Sequence, residues 1–251
     1  MPTLVVVRHG PTVCSRENRF AGWVDTPLTV KGQADARRAG DTLQRAGLAF
    51  DVCFTSRLRR AEETLSAIRA SVRIDDDRIE RDWRLNERHY GALQGETRRT
   101  AVTRYGNAQV VEWRRSYDAC PPLLGDDDPR CVEQLARFPD VPRHVQPRGE
   151  RLRDAAERVA PVWHHRIAPA LAQGLRVLVV AHTSSARGLA RVIEGLTDEQ
   201  CAAFRIATVI PRVYELNDRL AVTRITDLTD GARSRVVYWV NRLKPRRLGA
   251  I

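Results

Sequence analysis

The segment Arg8-His9-Gly10-Pro11 contains side chains that could carry out phosphoryl transfer. It directly follows the apolar residues Leu4 to Val7, which are typical of a strand buried on both faces. An imidazole can accept a phosphoryl group, a guanidinium can bind its oxygens, and a glycine allows the backbone to approach closely. We therefore interpret His9 as a candidate nucleophile and Arg8 as its cationic neighbour.

A second histidine follows another apolar strand, because His182 comes directly after Val177 to Ala181. In open α/β sheets, ligands bind at the carboxyl ends of the strands, so both imidazoles are expected at one sheet edge. Arg60 follows a third apolar segment, 52–54, and could clamp a phosphoryl group together with Arg8. The alternatives are a structural capping role for His182 and a solvated helix face for Arg60.

Several longer motifs agree with this chemistry. Residues 84–95 read RLNERHYGALQG, and residues 113–117 read WRRSY. With these motifs the chain resembles the histidine phosphatase superfamily and, within it, the cofactor-dependent phosphoglycerate mutases, from about Leu4 to about Arg224. The resemblance implies an α/β three-layer sandwich in which helices flank a mostly parallel central sheet, and the alternation of strands and helices agrees with it.

The resemblance also implies roles for individual residues. Glu87 is the expected general acid and base, with a salt bridge to Arg84 or Arg88 as the alternative. His9, Glu87, His182, Arg8 and Arg60 form the expected catalytic group. The expected substrate-binding residues are Thr12, Ser15, Ala21, Gly22, Arg88, Tyr90, Arg98, Arg114, Arg115, Thr183 and Ser184. A plain surface position is the alternative for Arg114 and Arg115.

The chain departs from the family at several pocket positions. The family usually has Glu-Ser after the His-Gly pair, where this chain has Pro11-Thr12, and it has Asn at the position of Ser15. Other departures are Ala21 for Thr, Arg98 for Lys, Thr183-Ser184 for Gly-Asn, and Ala207-Thr208-Val209 for Pro-Thr-Gly. Lost polar contacts alter discrimination between substrates. The hypothesis is a relative of the glycolytic mutase that acts on phosphoglycerate or a close analogue, such as a phosphonate from a specialised pathway.

Three functions compete at this point. The first is a phosphomutase that works by a ping-pong mechanism through phospho-His9, with 2,3-bisphosphoglycerate as the primer implied by the resemblance and with no metal. The second is a phosphatase that releases phosphate from a small phosphorylated acid. The third is a catalytically silent binding protein. The mutase is favoured by residues that could hold a second anionic group of the substrate, namely Arg88, Tyr90, Arg98, Arg114 and Arg115. The phosphatase is favoured by the differences from the family at the pocket positions.

The composition of the chain indicates which classes of binding partner to expect. The chain of 251 residues has a net charge of +11, and its lysines are Lys31 and Lys244. Arginine suits phosphate and carboxylate ligands, and the sequence has no nucleic-acid module and no apolar run of about 20 residues. Five scattered cysteines and an N-terminus without a signal peptide predict a cytoplasmic protein. The family resemblance also implies that the protein forms a homodimer.

The expected organisation is one domain over residues 1–227, with a helical and loop insertion at about 90–149, followed by a basic tail over 228–251. Residues 118–149 are expected to have little regular structure, and they could form a lid or rim. In the tail, Val236, Trp239, Val240 and Leu243 have helical spacing and predict a short amphipathic helix. A basic flap over the ligand and a membrane-surface helix are the alternatives.

Overall fold

The computed structural model describes residues 2–229 and the backbone of residues 235–239. The strands are β1 (Thr3–Arg8), β2 (Val52–Thr55), β3 (Ile79–Arg81), β4 (Val177–Ala181), β5 (Arg212–Leu216), β6 (Val222–Asp227) and β7 (Arg235–Trp239). They form one sheet in the order β3-β2-β4-β1-β5-β6-β7. β1 to β4 are parallel, β5 is antiparallel to β1, and β6 is antiparallel to β5 and β7. β6 therefore runs in the same direction as β1, and the described sheet is mostly parallel, as predicted.

The helices lie between the strands in sequence. They are α1 (Val13–Arg16), α2 (Val30–Arg45), α3 (Arg59–Ile68), α4 (Arg98–Tyr105), α5 (Asn107–Arg115), α6 (Pro129–Arg137), α7 (Leu152–Val162), α8 (Ala168–Ala172), α9 (Thr183–Glu194) and α10 (Asp198–Ala203). A π-helical turn, Trp163–Ile167, joins α7 to α8. Short 3₁₀ turns cover Asp76–Arg78, Trp83–Leu85, Gly91–Leu93 and Arg143–Val145.

Two hydrophobic cores lie on opposite faces of the sheet, because successive strand side chains point to opposite sides. Leu4 and Val6 of β1 belong to the core that contains side chains of α7 and α9. Val5 and Val7 belong to the core formed with α2 and α3. The continuous apolar run of β1 thus fills both cores, and the predicted three-layer sandwich is confirmed.

Close helix packing fixes the position of α9, which begins directly after His182. A Cβ atom on Gly188 would lie 2.9 Å from the Cα atom of Ala156 on α7 and 3.3 Å from the Cβ atom of Val159. A glycine is therefore required where the two helices meet. This contact seats the start of α9 at the end of β4.

Two local predictions are wrong. The region 118–149 contains the regular helix α6, whose start is marked by Pro129 in the first turn and by the Asp128 side chain, which accepts a hydrogen bond from the Arg130 amide. The predicted tail helix is a strand over its described part, because β7 pairs antiparallel with β6. The rest of that prediction lies outside the described residues, and the division into residues 1–227 and 228–251 stays a prediction.

A search of the described residues for a helix long and apolar enough to cross a membrane found none.

Candidate active site

His9 and His182 lie together at the carboxyl edge of the parallel strands. Their ring centroids are 4.9 Å apart, and their planes are inclined by 56°. Both side chains are buried. This arrangement follows from the register in which Arg8 of β1 pairs with Ala181 of β4, because the next residue of each strand is the histidine.

The ring of His9 is held in one tautomer. Its Nδ1 atom lies 2.8 Å from the carbonyl oxygen of Gly10, which can only accept a hydrogen bond, so Nδ1 carries the proton. Burial and the nearby charges of Arg60 and Arg8 lower the pKa of His9 to about 3. At neutral pH the ring is therefore uncharged, and Nε2 presents a lone pair.

Close backbone packing fixes the residue after His9. A Cβ atom on Gly10 would lie 2.7 Å from the backbone oxygen of Gly32. The Gly10 amide also donates to Oγ1 of Thr64 at 3.0 Å. A glycine is thus needed here for close backbone approach rather than for an unusual turn.

His182 is neutral for the same reason as His9. Burial and the charge of Arg60 lower its pKa well below the ordinary value. Its Nε2 is hydrogen-bonded to Oγ of Ser56 at 2.7 Å, and Ser56 also accepts the Leu58 amide at 3.2 Å. Its Nδ1 is buried and has no hydrogen-bond partner within the described part of the chain.

Two arginines supply positive charge beside these rings, Arg60 from a buried position and Arg8 from a partly buried one. Arg60 donates to the carbonyl oxygens of Gly22 at 2.7 Å and Val24 at 3.0 Å. Burial lowers its pKa to about 10, so it stays protonated at neutral pH. Arg8 donates to the carbonyl of Ile206 at 3.5 Å. Among the described residues, the Nε atoms of Arg8 and Arg60 are buried without hydrogen-bond partners.

The carboxylate of Glu87 lies at the amino-terminal end of α9. It accepts the amide of Arg88 at 2.8 Å, that of Ser184 at 3.0 Å and that of Thr183 at 3.2 Å. Burial works to raise the pKa of Glu87, but these hydrogen bonds and the nearby arginine charges outweigh it and lower the pKa. Glu87 is therefore ionised at neutral pH. Arg84, the alternative partner considered above, pairs with Asp82 at 3.2 Å instead.

An ion pair supports the backbone around Glu87, and no sequence motif indicated it. Arg158 on α7 pairs with Glu150 at 2.6 Å and donates to the carbonyl of Glu87 at 2.9 Å. The indole nitrogen of Trp23 donates to the same carbonyl at 2.7 Å. Glu150 in turn accepts the amide of His89 at 2.7 Å. The main chain on both sides of Glu87 is thus fixed from behind.

These groups open into a cavity of about 380 Å³. Fourteen of the sixteen expected catalytic and substrate-binding residues line it, namely Arg8, His9, Thr12, Ser15, Ala21, Gly22, Arg60, Glu87, Tyr90, Arg98, Arg114, Arg115, Thr183 and Ser184. His182 is not part of the lining, although its ring lies beside His9.

Arg88 is also outside the lining and is fully buried. Its guanidinium donates to the Tyr90 hydroxyl at 3.1 Å and to the Arg114 carbonyl at 3.5 Å. Arg88 therefore supports two residues of the cavity wall from behind.

Four lining residues were not anticipated: Arg19, Phe20, Arg187 and Arg205. Arg187 lies four residues after Thr183 on α9, and residues with this spacing share a helix face, so the sequence did contain a signal for it. Arg205 lies in the loop between α10 and β5. Its place in the wall depends on long-range packing, which no local pattern reveals.

Within residues 2–229, no cluster of three or more histidine, cysteine, aspartate or glutamate side chains is arranged to hold a metal ion.

The chain belongs to the histidine phosphatase superfamily (branch 1), whose family model matches residues 4–137. It is also similar in sequence to a 2,3-bisphosphoglycerate-dependent phosphoglycerate mutase of Parabacteroides distasonis. The two are 41% identical over 220 residues, which cover 88% of this chain and 89% of that protein. The family expected from the sequence motifs is confirmed.

Solved structures share the fold at lower identity. One is a mycobacterial glucosyl-3-phosphoglycerate phosphatase complexed with VO3, with a TM-score of 0.66 at 23% identity over 86% of this chain and 93% of that one. Another is the α-ribazole phosphatase of Shigella flexneri, with a TM-score of 0.60 at 21% identity over 88% of this chain and 93% of that one. At these identities the likeness concerns the fold.

Proposed function

We propose that this protein is a phosphomutase that moves a phosphoryl group within phosphoglycerate or a close analogue, by way of phospho-His9. The observation that carries the proposal is the state of His9. Its ring is neutral, its Nδ1 proton is directed to the carbonyl oxygen of Gly10, and it lies beside the buried Arg60 and the partly buried Arg8. The 41% identity to a phosphoglycerate mutase supports the choice of reaction and substrate class.

His9 is the nucleophile in this proposal. Its Nε2 lone pair forms the bond to phosphorus while the bond from phosphorus to the substrate oxygen breaks. Arg8 and Arg60 stabilise the charge on the phosphoryl oxygens, since phosphoryl transfer depends mainly on positioning and on electrostatic stabilisation. Both arginines have a buried Nε donor without a partner among the described residues.

Glu87 moves the proton. In the ionised form seen here, it accepts the proton of the substrate hydroxyl as that oxygen attacks the phosphoryl group on His9. The protonated carboxyl then returns the proton to the other substrate oxygen when His9 takes the second phosphoryl group. The proton balance closes over one cycle, and the cycle starts with the ionised carboxylate.

The cavity suits the primer named for the related mutase. Arg8, Arg60, Arg98, Arg114 and Arg115 line it, so they would hold an anion such as 2,3-bisphosphoglycerate. When bound, this molecule supplies the phosphoryl group that primes His9. The proposal requires no metal ion, because the arginines supply the positive charge.

We propose that the protein acts in the cytoplasm as a homodimer, in a glycolysis-like reaction on a small phosphorylated substrate, without nucleic-acid or membrane partners. Light scattering of the purified full chain tests the dimer, and a mass of about one chain would contradict it.

A panel of substrates tests the reaction. The enzyme is given 3-phosphoglycerate and phosphonate-bearing three-carbon acids, with and without 2,3-bisphosphoglycerate, and both isomerised product and free phosphate are measured. We expect isomerisation that depends on the primer, and phosphoryl labelling that is lost in His9→Ala. Free phosphate without isomerisation would identify a phosphatase, and the absence of labelling would contradict both functions. Efficient turnover of 3-phosphoglycerate would remove the need for an altered substrate.

A further inference from the structure

Two arginines of the cavity wall have no part in the phosphoryl transfer proposed above. Arg187 on α9 and Arg205 in the α10–β5 loop both line the cavity. Arg187 is nearly buried, with 8% of its surface exposed. Its Nε donates to the carbonyl of Phe204 at 3.1 Å. The two guanidinium groups are close enough for the charge of Arg205 to contribute to lowering the pKa of Arg187, behind the larger effect of burial.

The charge of Glu87 acts on Arg187 and works to raise its pKa, but neither Arg187 nor Arg205 has a salt-bridge partner among the described residues. Within residues 2–229, no carboxylate forms a salt bridge with Arg187 or Arg205, whereas the buried Arg158 pairs with Glu150 at 2.6 Å. Glu87 is the one acidic side chain among the described residues of the lining, and it is held by backbone amides. Arg205 is exposed and donates to the Phe204 carbonyl at 3.4 Å, whereas Arg187 is buried. Burying a cation without a salt-bridge partner is costly unless an anion compensates it.

The loop that carries Arg205 is fixed on both sides. Phe204 is held by the hydrogen bond from Arg187, and its ring lies 4.9 Å from the guanidinium carbon of Arg212. Ile206 is held through its carbonyl by Arg8 at 3.5 Å. The backbone of Arg205 is therefore held in place through its two neighbours. One of these neighbours, Ile206, contacts Arg8 of the phosphoryl-transfer group.

We infer that Arg187 and Arg205 form a separate subsite for a third anionic group of the ligand, a carboxylate or a phosphate that is not being transferred. Arg8 and Arg60 serve the transferring phosphoryl group, and Arg98, Arg114 and Arg115 are available for a second anionic group. The inference rests on the proposed function, because it assigns this pair to the same cavity.

The test is calorimetric binding to the full-length protein carrying His9→Ala, which cannot be phosphorylated by the primer, with and without the further substitutions R205A and R187Q. The probes are 2,3-bisphosphoglycerate, which has three anionic groups, glycerol 3-phosphate, which has one, and inorganic phosphate. The matched control is R219A, because Arg219 is an exposed arginine outside the cavity lining and its loss changes the net charge equally. Circular dichroism checks the fold of each variant.

We expect R205A and R187Q to weaken 2,3-bisphosphoglycerate binding about tenfold or more, the effect of one lost charge-assisted hydrogen bond. Binding of glycerol 3-phosphate and phosphate should change less than twofold, and R219A should leave all three unchanged. Equal weakening of all probes, or unchanged 2,3-bisphosphoglycerate binding in R205A, would overturn the subsite. Binding is measured without turnover, and phosphoryl labelling is measured separately in the protein that retains His9. A failure of the proposed function can therefore be told apart from a failure of the subsite. If R187Q does not fold, the binding measurements on R205A alone decide whether the subsite exists.

Discussion

The substitution Arg158→Lys tests whether the buried ion pair behind the cavity positions Glu87. The side chain of Arg158 is 10% exposed and that of Glu150 is 5% exposed, so both partners are shielded from solvent. A lysine keeps a positive charge beside Glu150 but lacks the planar fork that reaches the carbonyl oxygens of Asn86 at 3.1 Å and Glu87 at 2.9 Å.

The expected magnitude follows from the lost hydrogen bonds. Each carbonyl bond from a charged donor contributes about 1.5–3 kcal/mol, and a lysine can keep one of the two, so we expect the free energy of unfolding to fall by about 1.5–3 kcal/mol. In a chain of this size, each kcal/mol corresponds to roughly 2–4 °C in the unfolding temperature. Removing the charge altogether, as in R158A, should cost about 3–5 kcal/mol, because Glu150 is then left buried and unpaired.

The functional effect should appear in kcat. Arg158 does not line the cavity, so KM should change little. The carboxylate of Glu87 loses the support of its own main chain, and a shift of about 1 Å in a reacting group costs up to about a hundredfold. We therefore expect kcat to fall about ten- to a hundredfold at 25 °C, with calorimetry and circular dichroism confirming that the variant is folded.

A matched control is Arg84→Lys. Arg84 lies in the same motif as Glu87, but it pairs at the surface with Asp82, and its side chain is 44% exposed. Such an exposed pair contributes about 0–1 kcal/mol, so stability and kcat should stay close to wild type. A folded R158K protein with wild-type kcat would refute the positioning of Glu87 by this ion pair.

Three further predictions concern the residues around His9. Gly10→Ala should lower the free energy of unfolding by about 1–3 kcal/mol in a denaturant titration, because the new methyl group would lie 2.7 Å from the Gly32 oxygen; unchanged stability would contradict the close approach. Ser56→Ala should cost about 1–3 kcal/mol in the same titration by leaving buried Nε2 of His182 unpartnered, and a neutral result would show that the bond contributes nothing. The lowered pKa of Glu87 contributes stability that is complete above the unfolded glutamate pKa of about 4.3 and is lost as the pH falls through the folded value. Glu87→Gln should therefore weaken the acid dependence of stability measured between pH 7 and 3, and an unaltered dependence would contradict the lowered pKa.

The sequence was sufficient for the parts of the site that lie at strand ends. His9 and His182 each follow a continuous apolar run, and parallel strands end at one edge, so their proximity could be predicted without knowing any contact. The cavity wall was harder to predict. Arg88 stands in a polar motif, yet its side chain turns into the protein and donates to Tyr90. A motif gives the residue type but not the direction of the side chain.

The remaining differences have similar physical causes. Helix α6 could have been predicted, because Asp128-Pro129 is a helix-start signal that the surrounding prolines obscured. The segment Arg235–Trp239 reads RVVYW, and valine, tyrosine and tryptophan all favour strands, so the helical spacing overlooked a local strand preference that agrees with the pairing to β6. Arg158 reaches the Glu87 carbonyl across 71 positions of the chain, and no spacing rule covers such a distance.

The hydrogen bond between the His9 ring and the Gly10 carbonyl also has a consequence for regiochemistry. Because Nδ1 is occupied by that bond, the covalent adduct can form only at the remote nitrogen, which yields the tele isomer of phosphohistidine. Phosphorus bonded to one ring nitrogen has a different NMR environment from phosphorus bonded to the other, so the backbone oxygen of one glycine determines which phosphorus signal the working enzyme carries.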